Sequence, residues 1–155
     1  RNAGVTVILD PAPACEDLPE ELFAVSDILL PNETELATLT GMDVTSIPEI
    51  MAASQSLLKH GSKHIIVTLG PRGALWVTDN HNQLFPATPV KAVDTTAAGD
   101  SFAGALAANL AQGKTIADSV PFALAAGSLA CTRLGAQPSV PTTEQVLTFM
   151  QQHQA

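Results

Sequence analysis

The sequence predicts an α/β fold: a three-layer, Rossmann-like arrangement with a mostly parallel sheet and helices on both faces. Three observations carry the prediction. Runs of Val, Ile and Leu at 5–9, 27–30 and 64–69 lack the polar alternation of a half-solvated sheet, as strands buried on both faces do. Helical patterns separate these runs, as in βαβ units. From Ala98 onward the pattern is helical almost to the end.

Each element has a local reason. The strand at 5–9 stops at Asp10-Pro11-Ala12-Pro13, and a short helix is expected over 19–24, with Glu20 and Glu21 where the helix dipole favours them. A second strand, 27–30, ends at Pro31. Asn32 or Thr34 then caps a helix running to about Thr40 and closed by Gly41. Ser46-Ile47-Pro48-Glu49 opens another helix, one face of which carries Ile50, Met51, Ser54, Leu57 and Leu58 and whose stop is Gly61. The strongest strand follows at 64–69. Gly70-Pro71-Arg72-Gly73 turns it into a strand at 74–78, and Asp79-Asn80-His81-Asn82 turns that into one at 83–86. Phe102, Leu106 and Leu110 line one stripe of the helix begun at Ala98. A second helix is expected over 116–133 with Val120, Leu124 and Leu129 inward, and a third over 143–152 behind Thr142-Thr143-Glu144-Gln145, a capping-box pattern.

The chain has 155 residues, 46 % of them apolar and 14 % charged, which suits one globular domain rather than a disordered segment. Its formal net charge of −8, from 15 acidic and 7 basic side chains, argues against a nucleic-acid partner. No run of about 18 apolar residues exists, so no membrane span is expected. Cys15 and Cys131 have no C-x-x-C spacing and read as reduced thiols, and the compartment expected is the cytoplasm. His60, His64, His81 and His153 show no ligand spacing. Glu16, Asp17, Glu20 and Glu21 read as a solvated acidic patch, and Trp76 as part of a strand's packing.

The segment Asp94-Thr95-Thr96-Ala97-Ala98-Gly99-Asp100-Ser101-Phe102 is the most informative. Small residues stand at the mouth of a helix, where four amides have no intrahelical partner and the dipole is positive. A phosphoryl group could approach Ala97, Ala98 and Gly99 closely, with Asp100 beside it to take a proton from an attacking hydroxyl. A purely structural reading is also open: Asp100 balancing the dipole and the small residues permitting tight packing. No G-x-x-x-x-G-K-[ST] is present, which excludes a P-loop kinase.

The segment D-T-T-A-A-G-D resembles the C-terminal signature of the ribokinase family of carbohydrate kinases, and four other segments resemble motifs of that family in the same order. They are Asp10-Pro11-Ala12-Pro13-Ala14, Asn32-Glu33-Thr34-Glu35 (the N-x-x-E motif), Thr68-Leu69-Gly70-Pro71-Arg72-Gly73 (the T-L-G-x-x-G loop) and Gly135-Ala136-Gln137-Pro138-Ser139-Val140-Pro141. The resemblance implies a ribokinase-like fold and transfer of the ATP γ-phosphoryl to a sugar hydroxyl, most directly the 5-hydroxyl of D-ribose. A fructokinase, a deoxyribokinase, a nucleoside kinase or a non-catalytic nucleotide-binding fragment are the alternatives. It makes Asp100 the general base, and Ala97, Ala98 and Gly99 the anion hole. Asn32 and Glu35 become the pair that orders magnesium-bound water, and Thr68, Gly70 and Gly73 the loop near ATP. Asp94, Thr96, Ala130, Arg133, Gly135 and Ser139 become the site of an activating monovalent cation (K+), held mostly through carbonyl oxygens. On local grounds Asn32 is equally a helix cap and Glu35 a solvated first-turn acid.

The chain departs from the family at Leu124, where some members carry a His near the adenine, and its Ala97 is Gly in many members. The resemblance further implies that residues 1–155 are the C-terminal, nucleotide-binding part. The expected partner is then an N-terminal sugar-binding half with a lid, whose strands would continue the sheet beside 5–9. A homodimer is expected when the protein is intact.

Overall fold

A computed structural model describes residues 3–15 and 17–153; Glu16, which the sequence places in the acidic patch, lies outside the described residues. Two units can be distinguished, Arg1–Leu69 with Ala74–Leu84 and Gly70–Gly73 with Phe85–Ala155.

In the first unit the chain runs β1 (Ile8–Leu9), α1 (Glu20–Val25), β2 (Ile28–Leu29), α2 (Glu33–Thr40), α3 (Ile47–Leu58), β3 (His64–Thr68) and β4 (Ala74–Val77). A hairpin turn, in which Thr78 N–H donates to the His81 carbonyl at 2.8 Å, leads on to β5 (Asn82–Phe85). The five strands form one sheet in the order β1-β2-β3-β4-β5. The first three are parallel and β4 is antiparallel to β3. Leu29, Ile65, Val67, Leu75 and Val77 project to one face and pack with Leu36, Ile50, Ala53 and Leu57 of α2 and α3. Ile28 and Ile66 point to the other face and are also buried. Burial on both faces is the reason these strands read as continuous apolar runs.

The predicted strands 5–9 and 27–30 each shorten to two residues. Asp27 interrupts the first of them at Val7. Its carboxylate accepts the Val7 N–H at 3.0 Å, where a ladder would need a carbonyl, and it pairs with the Lys63 ammonium at 2.8 Å. The Asn32-or-Thr34 ambiguity resolves to Asn32: its Oδ1 accepts the Glu35 N–H at 2.9 Å, and Glu35 Oε2 accepts the Asn32 N–H at 2.8 Å. Gly41 closes α2 in the left-handed conformation (φ 64°). Ser46 and Glu49 form a second such box at α3. The Glu49 carboxyl is held below its ordinary value, first by the Thr45 hydroxyl and then by Ser46.

The second unit carries α4 (Ala98–Ala111), α5 (Ile116–Ala130) and α6 (Thr143–His153). Phe122, Ala125 and Ala126 of α5 pack with Val146 and Phe149 of α6, joined by Ala105 and Leu129. Leu110 and Leu129 are half-buried, less inward than their stripe position suggests. Thr115 caps α5 through the Asp118 N–H, a T-x-x-D pattern that the sequence reading passed over. The capping box of α6 forms as expected, between Thr142 and Gln145. α5 ends at Ala130 rather than 133, because the Cys131 carbonyl turns to accept the Val93 and Asp94 amides at 2.7 and 3.2 Å instead of continuing the helix. Both cysteines are free thiols; burial, then the nearby Asp94 charge, pushes the Cys131 thiol up. No helix among the described residues is long and apolar enough to cross a membrane.

Candidate active site

Of the five helices with eight or more residues among those described, α2, α3, α5 and α6 have side-chain caps: Asn32, Ser46, Thr115 and Thr142. The mouth of α4 has none. Its N-cap is Ala97, without a side-chain hydrogen bond, and the first ladder bond runs from Ser101 N–H to the Ala97 carbonyl at 3.0 Å. The amides of Ala97, Ala98 and Gly99 precede that ladder. Ala98 N–H makes a long turn bond to the Thr95 carbonyl at 3.2 Å. Gly99 and Asp100 are exposed in the first turn, and Ala97 is buried. An uncapped, positive helix end lined by small residues is a ready anion site.

The approach to this mouth is held by Asp94. Its Oδ1 accepts the Thr96 N–H at 3.0 Å and the Thr96 hydroxyl at 2.5 Å, and its Oδ2 accepts the Gly135 N–H at 2.8 Å. These donors hold the Asp94 carboxyl below its ordinary value: the Thr96 hydroxyl most, then the Gly135 and Thr96 amides, against a smaller effect of desolvation. Three of the predicted cation positions, Asp94, Thr96 and Gly135, are thus directly joined. Ala130 and Arg133 sit in the turn that ends α5, where Arg133 N–H donates to the Ala130 carbonyl at 3.2 Å. The next residue along the chain from that carbonyl is Cys131, whose own carbonyl holds the Asp94 amide. Ser139 is buried and its hydroxyl donates to the Ala136 carbonyl at 2.7 Å.

Packing reinforces the geometry. A Cβ on Gly127 of α5 would stand 3.1 Å from the Ala98 carbonyl oxygen, so α5 passes close behind the mouth of α4. The small-residue run Ala125-Ala126-Gly127-Ser128 was the signal for this crossing, and the sequence reading did not use it. The Cys131 carbonyl and the Thr95 turn were also missed, because backbone acceptors leave no mark on residue type.

In the first unit, Thr68 ends β3 beside Asn32. The two residues form a parallel bridge, and Thr68 N–H donates to the Pro31 carbonyl at 3.0 Å. Asn32, Glu35 and Thr68 are therefore brought together, with Asn32 Oδ1 and Glu35 Oε2 engaged in the helix cap. The cap reading of Asn32 is correct, and it leaves the second Glu35 oxygen outside the box. The following loop, Gly70–Arg72, is a 3₁₀ turn closed by Gly73 N–H to the Gly70 carbonyl at 3.1 Å. Both glycines have positive φ, 55° and 104°.

Comparison with known proteins decides the family. Residues 1–143 match the pfkB family carbohydrate kinase model. The chain belongs to the pfkB family of carbohydrate kinases. It is 42 % identical to a ribokinase of Staphylococcus aureus over 144 residues, covering 92 % of this chain and 47 % of that protein. It is 39 % identical to a deoxyribokinase of Salmonella typhi over 150 residues, covering 97 % of this chain and 49 % of that protein. Among solved structures, Arabidopsis thaliana ribokinase complexed with ribose and ATP superposes with a TM-score of 0.90 at 38 % identity, over 96 % of this chain and 48 % of that one. Escherichia coli phosphofructokinase-2 in complex with potassium does so at 0.83 and 27 % identity, over 99 % and 49 %. The fold is ribokinase-like. The chain spans about half the length of these relatives.

Proposed function

We propose that this chain is the C-terminal, nucleotide-binding part of a sugar kinase that transfers the ATP γ-phosphoryl to the 5-hydroxyl of D-ribose. The observation that carries the reading is the mouth of α4: small residues, no side-chain cap, and Asp100 exposed in the first turn. The amides of Ala97, Ala98 and Gly99 donate to the transferring phosphoryl group as charge develops, the Ala98 N–H sharing its long bond to Thr95. Asp100 accepts the proton of the attacking hydroxyl. Positioning does most of the work in phosphoryl transfer, so an ordinary carboxylate serves. Thr68, Gly70 and Gly73 shape the ATP side.

The residues present fit the ions such a reaction uses. Magnesium keeps most of its waters and binds through few carboxylates, which suits the free Glu35 oxygen and Asn32 as holders of metal-bound water. It would neutralise phosphate charge. Asp94 with the carbonyls of Thr96, Ala130, Arg133, Gly135 and Ser139 is a hard-oxygen set that suits an alkali cation such as K+. That cation would add positive field behind the anion hole. The intact protein would also contain an N-terminal sugar-binding half, act in the cytoplasm and pair as a homodimer.

Asp100→Asn in the full-length protein should cut turnover by two to four orders of magnitude, the usual reach of a general base, while calorimetry still shows ATP binding. Near-normal turnover would sink the assignment. The 39 % identity to a deoxyribokinase supports a second reading, with 2-deoxyribose as acceptor. A panel of ribose, 2-deoxyribose, fructose and nucleosides decides between them, and ATP binding without phosphorylation of any would mark a binding-only protein.

A further inference from the structure

Trp76 on β4 lies between two imidazoles. Its indole N–H donates to His64 Nδ1 at 3.3 Å, with the rings 5.8 Å apart, and the His81 ring meets it edge-on at 5.1 Å from the turn after β4. His64 opens β3, so this contact joins the ends of β3 and β4 farthest from the Gly70–Gly73 loop, where the Thr68↔Ala74 pair closes the other end.

We propose that His64 and Trp76 form an acid-released latch across the β3–β4 pair that frames this loop. An indole nitrogen only donates, so His64 Nδ1 must carry no proton and the neutral ring keeps its proton on Nε2. A second proton on the ring has to go to Nδ1. Two N–H groups then face each other, the bond is lost, and the half-buried indole is left without its acceptor. The charged groups acting on His64 are Lys63, its chain neighbour, and Asp27, which pairs with Lys63; His81 stands on the far side of Trp76. Burial holds His64 below the ordinary histidine value, Lys63 adds to this and Asp27 opposes it. The sign follows. The unfolded chain binds the proton more readily, so the latch contributes fully above about 6.5, the ordinary histidine value, and its contribution declines as pH falls below it.

Trp76 is the one tryptophan among the 155 residues. In ¹⁵N-labelled protein, assigned with Trp76→Phe, the indole N–H signal should move in a single step as pH is lowered from 8 to 4.5, with its midpoint below that of free histidine. At high pH the His64 Nδ1 shift should be that of an unprotonated nitrogen. His64→Phe should remove the step, and His81→Gln should leave it in place. The proposal is overturned by a protonated Nδ1 at high pH, by an indole signal that stays still while His64 titrates, or by a step that disappears in His81→Gln. The tautomer measurement needs no variant, so it decides the matter even if His64→Phe fails to fold.

Discussion

Gly73 offers the sharpest test of how the T-L-G-x-x-G segment is built. A Cβ added there would stand 1.8 Å from the Phe85 carbonyl oxygen and 2.8 Å from the Ala87 nitrogen, both backbone atoms. Ordinary contact requires 3.4 Å or more, so the Phe85–Ala87 backbone would have to retreat by roughly 1.5 Å, and Phe85 is 7 % exposed. The residue also has φ +104°, where a side chain costs about 1–3 kcal/mol by itself. Conformational strain plus a displaced core aromatic puts Gly73→Ala at about 4 kcal/mol or more. Gly70 is the internal control. Its φ is +55° and nothing lies within 4 Å of an added methyl, so Gly70→Ala should lose only about 1–2 kcal/mol. Urea denaturation followed by Trp76 fluorescence reads both. With m of about 1–3 kcal/mol/M, the Gly73→Ala midpoint should fall by about 0.7 M or more beyond that of Gly70→Ala. Equal midpoints for the two variants would refute the reasoning. In that case the second glycine of the motif would be required by a ligand and not by the backbone behind it.

Two further outcomes are expected. Ser46→Ala and Asn32→Ala should each destabilise by about 1 kcal/mol through loss of a cap, whereas Asn32→Asp keeps the accepting oxygen and should retain that stability; if Asn32 also orders metal-bound water, Asn32→Asp in the full-length protein shifts the magnesium dependence of KM for ATP. Asp27→Ala strands the Val7 N–H and the Lys63 ammonium and should lose about 2–3 kcal/mol in denaturation, while Lys63→Met, removing a partner that is 63 % exposed, should lose about 1 kcal/mol or less.

What the sequence made legible was local. The caps at Ser46 and Thr142 are contained in four consecutive residues, and so is the choice of Asn32 over Thr34 once Glu35 is recognised as its reciprocal partner. Asp100 and the small residues before it were also visible, because a helix mouth is a short-range feature. The Asp94 tether to Gly135 spans 41 positions, and no periodicity connects them. The same holds for Asp27, which reads as the first residue of a strand and instead uses its side chain to end one. Backbone carbonyls, such as that of Cys131, are invisible by nature, since every residue has one.

Close packing and an open helix mouth meet at Ala97-Ala98-Gly99. Tight packing demands a small residue on the α5 side: a Cβ on Gly127 would stand 3.1 Å from the Ala98 carbonyl oxygen, whereas a Cβ on Gly99 would meet nothing within 4 Å. In a planar peptide unit that carbonyl and the Gly99 N–H point in opposite directions. Packing α5 against the one therefore fixes the direction of the other, out of the uncapped mouth and along the helix axis toward its positive end. The glycine on α5 lets the helices approach and so holds the amide still, while the small residues of α4 leave it accessible. A capping Ser or Asn at position 97 would satisfy the same helix, but it would occupy the donors that the proposed phosphoryl site uses. The absence of a cap at α4, when the other long helices each have one, is the feature that a purely structural account of this segment leaves without a cause.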